Sequence, residues 1–470
     1  PLGNMGTPEE LADFLKYCES NYKADHEVLI LWNHGGGVTG YGSDEIYGHK
    51  GLSVLDMKEA FKTVYGEPDL NNPKLEAIGF DACLMASAEV TDCLAGYSKY
   101  YYGSEEVEPG DGWDYGAIME SLYDEPSMNG AMLGKVIADS FLRQNTESSA
   151  QYGIVPVLTF SVIDLSKAPE VFDRYADFAS AVLKNIIKES SELAEVSRAA
   201  AMSPAYATDF ADYFNTIDLG VFMEELPEQY KAEGDAVLAA IDDAVLYSRN
   251  SVVHEGSKGL SVFFPRSAKS MYALNMMLEY IDGLCRSDDV AALYYYKIAG
   301  CLNEEYKGYV ESQGYGSAEP VDYSVLNKVF DAKTECSGDG NFTIELTPEM
   351  MAVAQDAVFS IAKYDEESGD IEYYGDDAYA SISEDGYVNT FYNGKWFTYG
   401  GKVLPVEIVS ETSENVIYKA NITYNFLPSY MLFTYSAQED SVELLGINLQ
   451  YDGVMPDKST PRMPKPGDTI

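Results

Sequence analysis

Two side chains carry the chemistry in this sequence, His34 and Cys83. His34 follows the apolar run 28–33 and precedes three glycines, in the stretch VLILWNHGGG. Cys83 closes LEAIGFDAC at 75–83, ahead of LMASAEVTDCLAGY, which reads as a helix. A thiol at a strand-to-helix turn is predicted to feel the partial positive charge of the helix start, which lowers its pKa towards thiolate. An imidazole beside it would take the thiol proton and later return it to a leaving amine. The backbone N–H groups of Gly35 and Cys83 would form an oxyanion hole, with glycine permitting close approach to the developing charge. Asp81, two residues before Cys83, is predicted to share its face. It reads either as the acid of a pocket for a basic side chain or as a cap of the following helix.

Both residues must be positioned by strands. The runs at 28–33 and 75–80 are too short and too uniformly apolar for a surface helix, and predict strands buried on both sides of a parallel sheet. Ligands of open α/β sheets bind beyond the carboxyl ends of the strands. Although 49 positions separate His34 from Cys83, that rule brings them together.

The other three histidines are placed elsewhere. His26 precedes its strand and falls at the opposite edge, His49 lies in an irregular loop, and His254, beside Glu255, reads as a surface residue. The six cysteines, Cys18, Cys83, Cys93, Cys285, Cys301 and Cys336, form no CxxC, which removes a zinc or thioredoxin-like reading; reduced, mostly buried thiols are expected. Gly35, Gly37 and Gly40 spell GxGxxG after a strand, the fingerprint of dinucleotide binding, but the residues that follow open no amphipathic helix. HGGG also occurs in esterases, yet the chain has no GxSxG nucleophile elbow.

Along the chain, Thr7, Pro8 and Glu10 begin a helix over 7–20. Residues 38–73 read as irregular, with a short helix near 54–64. A third strand at 99–103 empties into an acidic loop at 105–114. Helices are predicted over 129–144, 167–200, 226–249 and 270–310, with strands at 153–165 and 259–265. Residues 313–317, QGYGS, read as a linker. The remainder alternates short strand patterns with Gly, Asp and Asn turns. The expected organisation is an α/β domain over 1–310 and a β-rich domain over 311–470.

At 470 residues, with 46% hydrophobic and 13% aromatic content, the chain has material for two or three domains. The formal charge of −46, from 31 basic and 77 acidic side chains, argues against nucleic-acid and anionic-membrane partners. No apolar run is long enough to span a membrane. The N-terminal residues do not read as a signal peptide, and Pro1-Leu2-Gly3 reads as a tag remnant or a processed end.

LILWNHGGG followed by IGFDACLM resembles the clostripain family of cysteine endopeptidases, which share the caspase-like fold. NMGTPEELADFLKY, YYYGSEEVEPGDGWDY, LTFSVIDLS, FNTIDLGVFMEEL, SKGLSVFFP and PKPGDTI are also similar to segments of that family. The likeness spans residues 4–305, and the C-terminal part more loosely. It implies a caspase-like α/β sandwich with a mostly parallel central sheet and helical additions. It implies Cys83 as nucleophile, His34 as its partner and Asp81 at the base of a pocket for Arg or Lys. It further implies self-processing between His34 and Cys83 after a basic residue, for which Lys50-Gly51 fits best and Lys58, Lys62 and Lys74 less well. A secreted or cell-surface bacterial enzyme acting on basic peptides without a cofactor is the expectation. Calcium dependence occurs in some members; the loop at 105–114 offers oxygen ligands but no EF-hand spacing, and is expected to be solvated. A further strand-rich segment ahead of Asn4 is also implied. The alternative is a catalytically silent relative that serves as a binding module or adhesin.

Overall fold

A computed structural model describes residues 3–151, 156–207, 214–266, 271–449 except 339, 384, 393, 412–414 and 437, and 462–470. In chain order, β1 (Val28–Trp32) enters a central sheet, and β2 (Tyr41–Asp44) and β3 (Lys50–Leu52) form a hairpin outside it. β4 (Leu75–Asp81), β5 (Ser98–Gly103) and β6 (Thr159–Asp164) return to the sheet. β7 (Thr216–Asp218) pairs with β9 (Ser261–Phe263) beside it, and β8 (Val245–Asn250) closes the sheet. The sheet order is β1-β4-β5-β6-β8. β1, β4 and β5 are mutually parallel, β6 runs against β5, and β8 runs against β6, so every strand but β6 points the same way.

The uniformly apolar strands face two cores. Leu29 and Leu31 of β1, Ile78 and Phe80 of β4, and Tyr101 of β5 pack into one. Ala77, Tyr102, Phe160 and Val162, on alternate positions, pack into the other. Helices α1 (Pro8–Asn21), α2 (Val54–Tyr65) and α3 (Ala88–Leu94) cover the first face through Leu11, Phe61 and Val90. α4 (Tyr115–Asp124) and α5 (Gly130–Gln151) cover the second through Ile118, Ile137 and Phe141. This two-faced α/β sandwich, with a mostly parallel central sheet, matches the layered architecture expected from the sequence.

Several boundaries differ from expectation. The helix expected over 226–249 ends at Ala244, and 245–250 becomes the edge strand β8. Its Val and Tyr residues extend the helical periodicity, but the open edge of β6 offers them a hydrogen-bonded ladder. The helix expected over 167–200 breaks into Ala168–Lys188 and Glu192–Ala201. The one expected over 270–310 is interrupted at Tyr280–Leu284 and again at Gly300, whose φ of 67° ends Asp288–Ala299. The strand expected at 259–265 pairs with β7 rather than with the central sheet. Beyond residue 330 the described chain is built of antiparallel sheets, the longest of which orders Glu407–Glu411, Asn415–Tyr424, Leu427–Ser436 and Ser441–Leu449.

Candidate active site

β1 and β4 end in register, with Trp32 paired to Asp81 as their last rung, so His34 and Cys83 leave the sheet at one rim. The backbones then touch. A Cβ on Gly35 would lie 2.2 Å from the Cys83 carbonyl oxygen and 3.1 Å from Ala82 Cβ, so only glycine fits there. Gly37, at φ +59°, lies against Leu84 in the same way. The glycine turn is a short hairpin in which the Gly36 amide donates to Gly40 at 3.0 Å and the Gly42 amide to His34 at 2.9 Å. These two bonds flank the Gly35–Tyr41 bridge, so the Gly35 amide points out of the hairpin. Residues Gly37–Thr39 form one 3₁₀ turn and no helix starts there, which leaves the dinucleotide fingerprint without its phosphate-binding terminus. The half-buried His34 donates its backbone N–H to Asn33 Oδ1 at 2.7 Å.

Cys83 departs from expectation in its setting. The helix after it begins only at Ala88, capped by Ser87, so the thiol is not at a helix N-terminus. It sits in the intervening turn, followed by Leu84 in the left-handed region at φ 63°, a conformation costing about 1 kcal/mol or more in a branched residue. The sulfur instead receives the Glu108 amide at 3.3 Å and lies 3.9 Å from the Glu108 carbonyl oxygen, to which the thiol can donate. Leu84, Tyr206, Ala207 and Phe214 pack around it and bury it completely.

Asp81 is buried beneath the loop that follows β5. Its Oδ2 accepts the Trp113 amide at 3.3 Å and the Tyr115 hydroxyl at 2.9 Å. Burial and the neighbouring carboxylate of Asp81 push the Tyr41 and Tyr115 hydroxyls above their ordinary range. Trp113 Nε1 donates to Glu108 Oε1 at 3.3 Å, so a chain of contacts runs from Asp81 through Trp113 and Glu108 to the Cys83 sulfur.

The acidic loop is not solvated as expected: Glu105, Glu106 and Glu108 are all buried. Glu106 is a three-way tie. One oxygen accepts Val107 N–H at 2.7 Å and Ala207 N–H at 3.0 Å, and the other meets His254 Nε2 at 3.0 Å. The Glu106 carbonyl accepts Leu84 N–H at 3.2 Å, next to the sulfur. His254, expected at the surface, is therefore a buried partner of the rim. Tyr206 places its hydroxyl 2.8 Å from Asp218 Oδ2, 2.8 Å from Ser257 Oγ and 3.2 Å from Glu105 Oε1. Burial, reinforced by Asp218, drives the Glu105 carboxyl well above the usual carboxylate range, and burial raises Asp218 as well. None of these residues was assigned to the rim from the sequence. The available signal was that β5 ends at the same rim as β1 and β4, so the loop after it had to be part of the site.

The remaining candidates lie apart. Lys50 and Gly51 belong to β3, not to an irregular loop; Lys50 is exposed, and its carbonyl lies 2.2 Å from where a Gly6 Cβ would be. Lys58 and Lys62 lie on α2. His26 meets Glu76 Oε2 at 3.2 Å near the start of β4, at the far edge. All six cysteines are free thiols, but only Cys83 and Cys93 are buried, fewer than expected, and Cys336 is exposed. Among the described residues no cluster of three or more His, Cys, Asp or Glu is arranged to hold a metal ion. No helix among them is long and apolar enough to cross a membrane.

The chain is similar to several known proteins. The profile of the clostripain family matches residues 2–299. Clostripain of Hathewaya histolytica is 26% identical over 319 residues, covering 57% of this chain and 58% of that protein. The chain thus spans under two thirds of that relative's length. Among solved structures, a secreted C11 cysteine protease from Bacteroides thetaiotaomicron in complex with an irreversible peptide inhibitor is 18% identical, with a TM-score of 0.43 over 62% of this chain and 77% of that one. An inactive zymogen C11 protease from Parabacteroides distasonis is 19% identical, with a TM-score of 0.42 over 63% of this chain and 77% of that one.

Proposed function

This chain belongs to the clostripain family, and on that premise we propose that it is a cysteine endopeptidase that cleaves peptide bonds after Arg or Lys. The reading rests on the apposition of Gly35 and Cys83 at the shared rim of β1 and β4. His34 takes the Cys83 proton, the sulfur attacks the scissile carbonyl, and the Gly35 and Cys83 amides stabilise the oxyanion. His34 then protonates the leaving amine, and water hydrolyses the thioester. The outward-pointing Gly35 amide supports its role. Asp81 holds the substrate's basic side chain.

The sealed sulfur has a consequence. A nucleophile enclosed by Tyr206, Ala207 and Phe214 must be uncovered before substrate reaches it, and the bond we assign to self-cleavage is Lys50-Gly51. Since that bond sits in the β2–β3 hairpin, the hairpin must open first to present an extended peptide. Substrates are basic proteins or peptides, the enzyme needs no cofactor, and it works outside a bacterial cell.

The test joins three readouts. Purified wild-type chain should cleave Arg or Lys reporter peptides and show a break after Lys50 by mass spectrometry. Cys83→Ala and His34→Ala should lose both while keeping wild-type circular dichroism. A reporter turned over equally by Cys83→Ala overturns the assignment. A wild-type chain that stays inert after limited proteolysis would favour the binding-module alternative.

A further inference from the structure

Away from the rim, the helices bearing Ser197 and Lys297 face residues 323–326 and 353–356 across a cleft of about 500 Å3. That volume lies in the range of small-molecule sites. Its floor is apolar, with Phe264 and Ile298 on one side and Val353 on the other.

The polar groups in it are unusual. Lys297 is only 5% exposed, its Nζ lies 5.6 Å from the Phe264 ring centre, and its hydrogen-bond partner is the neutral Gln355 Oε1 at 2.7 Å. Gln355 is turned that way by its own amide, which donates to the Tyr323 hydroxyl at 2.8 Å. A buried ammonium with an amide for a partner is a costly arrangement unless an anion completes it. Burial pulls the Lys297 pKa down to about 8, and the nearby Asp356 offsets this only in part. Ser197 also lines the cleft; its hydroxyl is buried and has no hydrogen-bond partner among the described residues. Two cations, Arg266 and Lys297, stand against the single carboxylate of Asp356 in the lining of a chain whose net charge is −46.

We propose that this cleft is a binding site for a small organic anion, its carboxylate taken by Lys297 and the Ser197 hydroxyl and its aromatic or aliphatic body packed on the apolar floor. The site stands independently of the peptidase reading, because none of its lining residues belongs to the rim that holds Cys83.

Isothermal titration of the full chain with 3-phenylpropionate and with the uncharged 3-phenylpropionamide tests it. The two probes share a body and differ in charge. The acid should bind at least tenfold more tightly than the amide. Lys297→Met, which keeps the apolar stem, should erase that preference, and Ser197→Ala should weaken the acid severalfold without affecting the amide. A melting temperature of Lys297→Met at or above wild type shows that the fold survives. Equal affinity of the two probes, no heat from either at millimolar concentration, or an undiminished preference in Lys297→Met each overturns the proposal. The wild-type ratio decides even if a variant fails to fold.

Discussion

Replacing Glu106 tests how the rim is held. Its carboxylate serves three groups, the Val107 and Ala207 amides and His254 Nε2, inside a site closed to water. Glu106→Ala would strand all three. At about 1–3 kcal/mol for each unsatisfied buried group, that is a large part of the roughly 5–15 kcal/mol of a typical domain, so this variant is expected to fold poorly. Glu106→Gln is the better probe. Its amide oxygen still accepts the two backbone N–H groups, but its NH2 must face His254 Nε2. The imidazole then has to carry its proton on Nδ1, which is buried with no partner among the described residues. One stranded donor costs about 1–3 kcal/mol, a fall readable by urea titration. The activity effect follows from geometry. Glu106 holds Leu84 through its carbonyl, and the same loop delivers the Glu108 amide to the Cys83 sulfur. A shift of about 1 Å in that loop is worth about a hundredfold in rate. Glu106→Gln should therefore lower kcat by ten- to a hundredfold, with KM changed less than about threefold because Asp81 is untouched. Alkylation of Cys83 by iodoacetamide should slow in parallel. If stability falls while kcat and the alkylation rate stay at wild-type values, Glu106 is only structural and the reasoning fails.

Other variants probe the remaining contacts. Asp81→Asn keeps an acceptor for the Trp113 amide and Tyr115 hydroxyl but removes the charge; kcat/KM on Arg and Lys reporters should drop by roughly a hundredfold, the ~2–5 kcal/mol scale of a lost buried charge pair, with thermal stability nearly unchanged. A loss equal to that on a neutral reporter would deny Asp81 its selective role. Gly35→Ala must push its methyl into the Cys83 carbonyl and should cost about 1–3 kcal/mol and most of the activity, whereas Gly42→Ala, which meets nothing within 4 Å, should show only the cost of its φ of +79°. Equal effects of the two would remove the close approach from the account. Glu89 is buried, with burial raising its carboxyl to about 7, and its Oε1 accepts Phe263 N–H. The folded state therefore holds that proton more tightly than the unfolded state, and stability is lost as pH rises from about 4.5 to 7. Two and a half pKa units correspond to about 3 kcal/mol. Glu89→Gln should melt above wild type at pH 8 and converge with it near pH 4.5; parallel curves would show that Glu89 does not titrate in this window.

The shared rim that carries His34, Cys83 and Asp81 was legible in the sequence because short apolar runs that end in polar residues obey a local rule. Such runs make buried strands, and buried parallel strands present their carboxyl ends at one rim. The helix at 8–21 and the strands of the antiparallel C-terminal sheets were legible for the same reason, since period and turn residues are local properties. The placement of 245–250 was not, because its pattern serves helix and strand equally and only the open edge of β6 chose between them. Nor was the burial of Glu105, Glu106, Glu108 and His254. Acidic residues in a loop read as solvated until the fold supplies amides, an imidazole and a tyrosine from positions a hundred or more residues away. The support of Cys83 followed the same division. The sequence by itself placed the thiol after a strand, but only tertiary structure set the helix start at Ala88 and brought the Glu108 amide to the sulfur, since a hydrogen bond across 25 residues depends on where β5 delivers its loop.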